Sequence, residues 1–234
     1  SLCYADDGET SIISTSIDTN IILWGVYTSE AEKVYAADSP VYCVCTSFLD
    51  KSKPSDEVPM SRIVIAGCQD GSIVVLPIMK AHDKDVGGTT WDAKKVDAHS
   101  SRAVSSVCSA WGYIYAGFAD GKVKTWYIRT GFSSGVETEL IGKPPRTSIK
   151  EYVNFDLVSS KHVHTSASTG LCYVGETLFS CSHDLSFIPF MAPEDVHAKT
   201  NGSYEQITGR GLIFHSNSIL CMSHNKFILV SGDS

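Results

Sequence analysis

"AHSSRAVSSVCSAWGYIYAGFADGKVKTWYI", residues 98–128, reads as three short strands split by tight turns. The runs alternate or are wholly apolar, and Val, Ile and Tyr recur in them. That is strand chemistry, and Gly, Pro or Asp interrupts the chain about every ten residues, too often for helices. Asp120-Gly121 is a strong hairpin signal, because Gly accepts positive φ at no steric cost.

The reading repeats along the chain. "SIISTSIDTNIILW" from Ser11, "RIVIAGCQDGSIVVL" from Arg62, "YIYAGFADGKVKTW" from Tyr113 and "TLFSCSHDLSFIPF" from Thr177 are each a strand, an Asp turn and a second strand. The turn residues are Asp18, Asp70, Asp120 and Asp184, spaced 52, 50 and 64 residues apart. Six residues after each comes Trp24, Leu76, Trp126 or Phe190, and four before each comes Ser14, Ala66, Ala116 or Ser180. Another strand precedes each hairpin, and segments such as "KVYAA" and "WDAKKVDA" lie upstream of that. About four strands per unit follow, in an all-β repeat. The excess length between Asp120 and Asp184 is assigned to a loop within "RTGFSSGVETELIGKPPRTSIKEYVN", residues 129–154.

Residues 98–128 resemble a WD40 repeat. His99, Asp120 and Trp126 fill the His, Asp and Trp places of that pattern, and the likeness extends over nearly the whole chain. The resemblance implies a WD40-type β-propeller with four blades and part of a fifth, as a segment of a seven-bladed ring. The units are 1–27, 33–79, 94–129, 150–191 and an incomplete 204–234. It also implies a structural polar network within each blade. Blade one would use Ser14, Asp18 and Trp24, and blade two only Asp70. Blade three would use His99, Asp120 and Trp126, with Ala116 in the hydroxyl place. Blade four would use His164, Ser180 and Asp184, and the fifth unit places His215 and Ser231. A missing propeller segment is expected from the same parent chain.

Composition narrows the function classes. The 234 residues carry 19 basic and 26 acidic groups, a net charge of −7, which argues against a general nucleic-acid surface. No apolar run approaches the roughly 20 residues of a membrane span, and no signal peptide is visible. Eight cysteines without a C-x-x-C read as buried thiols in a reducing compartment, hence an intracellular, cytoplasmic or cytoskeleton-associated protein. Asn201-Gly202-Ser203 reads as a chance glycosylation match.

Three function classes are weighed. The first is a non-catalytic protein–protein interaction scaffold within a multiprotein assembly. A variant of it is a substrate- or cargo-recognition propeller of a ligase receptor, motor or coat subunit. Gln69 and His183, each just before a turn aspartate, and Arg102 are the candidate partner contacts. The second class is an enzyme. Ser182-His183-Asp184 spells a hydrolase triad, but neighbours on a strand point to opposite faces and cannot converge. His162-x-His164 lacks matching metal ligands, so no catalytic residue, metal or cofactor is assigned. The third class is RNA binding, through Lys143, Arg146 and Lys150.

Overall fold

The computed structural model describes residues 1–4, 11–48, 62–78, 93–96, 101–110, 112–136, 147–174, 177–191, 217–224 and 229–233. These residues form strands and no helix. Five antiparallel sheets follow one another along the chain. Sheet I contains β1 (Leu2–Tyr4), β2 (Ser11–Thr15), β3 (Asn20–Gly25) and β4 (Glu30–Ala36). Sheet II contains β5 (Val41–Phe48), β6 (Arg62–Cys68), β7 (Ile73–Ile78) and β8 (Lys94–Val96). Sheet III contains β9 (Val104–Ala110), β10 (Tyr113–Phe118), β11 (Lys122–Val136) and β12 (Thr147–His162). Sheet IV contains β13 (Ser168–Val174), β14 (Thr177–Ser182) and β15 (Phe187–Met191). Sheet V contains β16 (Ile219–His224) and β17 (Leu229–Asp233). Within each sheet, strands pair in chain order.

The wholly apolar strands are explained by burial on both faces. In β6, Ile63 and Ile65 join the core shared with sheet III, while Val64, Ala66 and Cys68 join the core shared with sheet I. In β10, Ile114, Ala116 and Phe118 face sheet II, whereas Tyr113 and Tyr115 face sheet IV. A strand buried on both sides has no solvent face to mark with polar residues. Each sheet is therefore a layer in a stack, and each core lies between two layers.

The first strands of successive sheets lie side by side: β1 on β5, β5 on β9, β9 on β13, and β13 on β16. Hydrogen bonds tie this row together. Thr46 Oγ1 donates to Tyr4 O at 3.3 Å, Ser109 Oγ meets Ser47 Oγ at 2.7 Å, and Thr169 Oγ1 donates to Ile219 O at 2.6 Å. The approach is close enough to need glycine. A Cβ on Gly67 would sit 2.4 Å from Val104 Cγ1, and one on Gly117 would sit 2.3 Å from Ser168 Oγ. The first strand also carries a register shift near its start in sheets II to V, which leaves Tyr42, Ser105, Thr169 and Leu220 as the extra residues.

Two expectations from sequence are corrected. The units drawn at 33–79, 94–129 and 150–191 assign the upstream strand to the hairpin that follows it. Pairing instead puts β4 on β3, β8 on β7 and β12 on β11, so each completes the preceding sheet. Side-chain alternation identifies a strand but carries no information about which neighbour it joins. The excess after Asp120 is also not simply a loop. Strands β11 and β12 pair from Lys122↔His162 out to Val136↔Thr147, whereas β10 reaches only Tyr127. A two-stranded ribbon therefore extends beyond the rest of sheet III. The Arg129–Asp156 ion pair, at 3.3 Å, sits near its base.

All eight cysteines are free thiols. Burial pushes Cys43, Cys108 and Cys172 up to about 12, so these thiols stay protonated and pack as small apolar groups. Cys221 departs from the sequence expectation and is exposed.

Candidate functional site

The four turn aspartates share one geometry. In each, the backbone N–H two residues later donates to Oδ1: Asn20 at 3.0 Å, Ser72 at 3.0 Å, Lys122 at 3.2 Å and Ser186 at 2.9 Å. The residue between them takes positive φ: Thr19 at 73°, Gly71 at 85°, Gly121 at 80° and Leu185 at 68°. The Asp-Gly pairs were legible in the sequence. Thr19 and Leu185 adopt the same strained conformation without glycine, at about 1 kcal/mol each, and the Asp side chain supports it.

In sheets II, III and IV the residue before the aspartate is locked to the linker that enters its sheet. Gln69 N donates to Pro40 O at 2.8 Å, Ala119 N to Ala103 O at 2.9 Å, and His183 N to Ala167 O at 3.1 Å. Ser218 Oγ then donates to His183 O at 3.2 Å, reaching toward sheet V. The backbones are held while the side chains of Gln69 and His183 remain exposed. Arg102 precedes Ala103 in that linker and is also exposed. The three candidate contacts thus share one end of consecutive sheets, on a rigid support. Ile17, 73% exposed, occupies the same place in sheet I.

The polar networks differ from sheet to sheet. In sheet I, Trp24 Nε1 donates to Ser14 Oγ at 2.7 Å. Asp18 is exposed and its hydrogen bonds serve the turn, with Asn20 and Ser16. Trp24→Phe keeps the ring and removes the donor. The expected loss is about 1 kcal/mol or less, read as a shift in urea midpoint. A Ser14→Ala, Trp24→Phe double-mutant cycle should recover most of it as coupling.

In sheet II, Asp70 Oδ1 also accepts Ser72 Oγ at 2.6 Å, and Oδ2 meets Lys95 Nζ at 2.9 Å. Lys95 reaches Asp38 as well, at 3.4 Å. Ala66 and Leu76, in the hydroxyl and Trp places, are buried in the core. In sheet III, Asp120 pairs with Lys122 Nζ at 3.0 Å, and Trp126 is 2% exposed in the core between sheets II and III. His99 and His215 lie outside the described residues. Ser231 lies opposite Met222 on β17, and Gly232 lies opposite Cys221.

Sheet IV assembles a buried chain of side chains. His164 Nε2 lies 2.7 Å from Ser180 Oγ, and Nδ1 lies 2.6 Å from Ser186 Oγ and 3.5 Å from Asp184 Oδ1. Ser186 Oγ donates to Asp184 Oδ1. Asp184 Oδ2 accepts Thr165 N at 2.7 Å. On the other side, Ser180 Oγ meets Ser168 Oγ at 3.3 Å, which meets Ser106 Oγ of sheet III at 3.3 Å. A neutral ring with its proton on Nδ1 satisfies every link: Ser180 donates to Nε2, and Nδ1–H passes through Ser186 to a carboxylate that only accepts. Burial pushes the His164 ring below its ordinary value against the pull of Asp184. Burial alone would raise Asp184; the hydrogen bonds from Ser186 and Thr165 and the nearby His164 ring outweigh it and hold the carboxyl at about 2.

This chain joins Ser180, His164 and Asp184 in the order of a hydrolase triad, from residues that are not adjacent. Ser180 is 0% exposed and His164 1%, so the pair is closed off from solvent. Ser182 and His183 stand apart from it: Ser182 Oγ accepts Asp184 N at 3.1 Å, and His183 is exposed. Ser186, the bridge between ring and carboxylate, was not singled out from sequence. Its signal is the position two after the aspartate, which also holds Ser72. No group of three or more metal-ligating side chains occurs among the described residues. No described helix is long and apolar enough to cross a membrane.

No family model matches the sequence, and no curated protein matches it. Solved structures do resemble the fold. The computationally designed Ika8 protein matches 99% of this chain and 54% of its own, with a TM-score of 0.57 at 18% identity. The designed Ika4 protein matches 82% of this chain and 89% of its own, with a TM-score of 0.51 at 19% identity. A chain of the mitotic checkpoint complex matches 99% of this chain and 56% of its own, with a TM-score of 0.59 at 10% identity. The chain spans about half the length of the first and third of these. At such identities the likeness concerns the fold alone.

Proposed function

We infer that the chain is a segment of a WD40-type β-propeller, seven-bladed when whole, that acts as a non-catalytic protein-interaction scaffold. The row of first strands supports the propeller: sheets stacked face to face, with one edge of each gathered along a line, radiate from an axis. The resemblance to a chain of the mitotic checkpoint complex, a multiprotein assembly, is compatible with a scaffold.

The observation that carries the functional reading is the locked turn end. Gln69 and His183 project from backbones fixed by sheet-to-linker hydrogen bonds, and Arg102 directly precedes Ala103, whose carbonyl accepts one of them, so binding there orders little new chain. The polar network that could suggest chemistry is sealed inside sheet IV, where it supports the blade. In this reading the partner is a protein or peptide, no cofactor is needed, and the same parent chain supplies the remaining blades.

The test uses the full-length protein and a triple variant, Q69E/R102E/H183E. Proteins bound by each are compared quantitatively after affinity purification. A specific partner should fall by about tenfold or more in the variant, while the melting temperature stays within about 2 °C. Equal recovery of every bound protein would remove this end as the interaction surface.

A further inference from the structure

Strand β11 outruns its inner neighbour. It pairs with β10 as far as Tyr127, and Ile128 N then donates to Gly112 O at 2.8 Å. Beyond that point β11 runs on to Val136 beside β12. In an antiparallel ladder the N–H and C=O of one residue point to the same side, and those of the next point to the other. The Ile128 N–H points toward β10, so the backbone groups of Thr130, Phe132, Ser134 and Val136 point to that side too. Those of Gly131, Ser133 and Gly135 point to β12, opposite Tyr152, Lys150 and Ser148. Among the described residues, no strand pairs with the inner edge of β11 from Thr130 to Val136.

The two edges of this ribbon are unlike. The outer edge, on β12, is guarded. It carries Lys150 and Glu151 in sequence, and a register shift leaves Val158 as an extra residue. Lys94 Nζ of sheet II donates to Val153 O, which the same alternation places on the outer edge. Charges, lysines and bulges are the devices that keep edge strands from pairing with other chains. The inner edge has none of them: "TGFSSGV", residues 130–136, contains no charge and no proline. A two-stranded ribbon is also marginal in water until a third strand joins it or a face packs. Register puts Phe132 and Val136 on one face with Ile149 and Val153, and Val153 belongs to the core between sheets II and III.

We propose that the inner edge of β11, from Thr130 to Val136, takes an extended segment of a partner protein as an added strand. Donors and acceptors presented at every second residue match an extended backbone, and the added segment continues the line of β10. Its apolar residues recur at every second position, on the face that carries Phe132 and Val136. The edge lies at the end of β11 remote from the Asp120 turn, so it is a second surface, independent of Gln69, Arg102 and His183.

The test uses the full-length protein and a fluorescent peptide of about ten residues that alternates Thr and Val. Fluorescence anisotropy should show saturable binding below about 1 mM. Ser134→Pro deletes one N–H on the open edge and leaves the donors to β12 intact, so it should weaken binding by about tenfold or more. Ser134→Ala should leave binding unchanged. Residue-resolved hydrogen exchange reads the ribbon directly. The amides of Gly131, Ser133 and Gly135 should be protected, whereas those of Phe132 and Ser134 should become protected only when peptide is added. If the proline variant loses its ribbon, the wild-type exchange pattern decides alone. Absence of binding, or binding that Ser134→Pro leaves unchanged in a variant that keeps its ribbon, overturns the proposal. So does protection of Phe132 and Ser134 before peptide is added, because another segment of the same chain then covers the edge. Self-association in sedimentation velocity that Ser134→Pro abolishes assigns the edge to a second copy and overturns the partner segment.

Discussion

Gly121→Ala is expected to lower stability by about 3–4 kcal/mol, against about 1 kcal/mol for Gly112→Ala. Both glycines have left-handed backbones, with φ of 80° and 78°. The difference lies in what an added Cβ meets. At Gly112 the nearest atom is Tyr127 Cε2 at 3.7 Å, ordinary contact. At Gly121 it would sit 2.1 Å from His164 O and 2.7 Å from Ser166 O. Those carbonyls belong to the linker between sheets III and IV. The linker is pinned because Val163 N and His164 N both donate to Gly121 O, at 3.1 and 3.0 Å. Relief of the clash therefore breaks the bonds that place His164. Urea unfolding of the two variants checks this, and equal midpoints would mean that only φ matters at Gly121.

His164→Ala is expected to cost about 3 kcal/mol. It removes one hydrogen-bond partner each from buried Ser180 and half-buried Ser186, and it opens a cavity where a ring was 1% exposed. Ser182→Ala, by contrast, removes one hydrogen bond to a backbone N–H and should cost about 1 kcal/mol. The pH dependence separates the network's two titrating members. Native burial depresses the His164 ring, so the unfolded chain binds its proton first. The stability from the neutral ring is complete above about pH 6.5 and declines as pH falls below it.

Asp184 is also depressed, to about 2. Its contribution is complete above the ordinary carboxylate value of about 4, and is lost as pH falls from there through about 2. Both terms lose stability in acid, in successive windows. Asp184→Asn should flatten the lower window and deepen the upper one, because the ring loses the pull of the carboxylate and is depressed further. His164→Ala should remove the upper one. An unchanged profile in both variants would show that the network does not couple to folding.

Most of the repeat was legible because its signals are local. Short runs rich in β-branched and aromatic residues, alternating or wholly apolar, marked β2, β6, β10 and β14, and the Asp turns marked where each strand reverses. His164 and Ser180 were paired through the WD40 resemblance, and the structure brings them together. The bridge through Ser186 was not visible, because a serine in a turn reads as a loop residue until the ring beside it is placed. The extension of β11 to Val136 was missed for a related reason. Gly131, Ser133, Ser134 and Gly135 read as loop chemistry, and pairing with β12 overrides that preference.

Strand identity and turn position were determined by the sequence itself, since each depends on residues within a few positions of one another. Three things were decided only by tertiary structure. One is the sheet that each outer strand completes. Another is the sealing of Ser180 and His164 away from solvent. The third is the face of sheet I that carries Ile12, Ser14, Ile22 and Trp24, on which no other described sheet packs. Each depends on which edge or face lies beside which, and a period of two along a strand is the same whichever neighbour it meets.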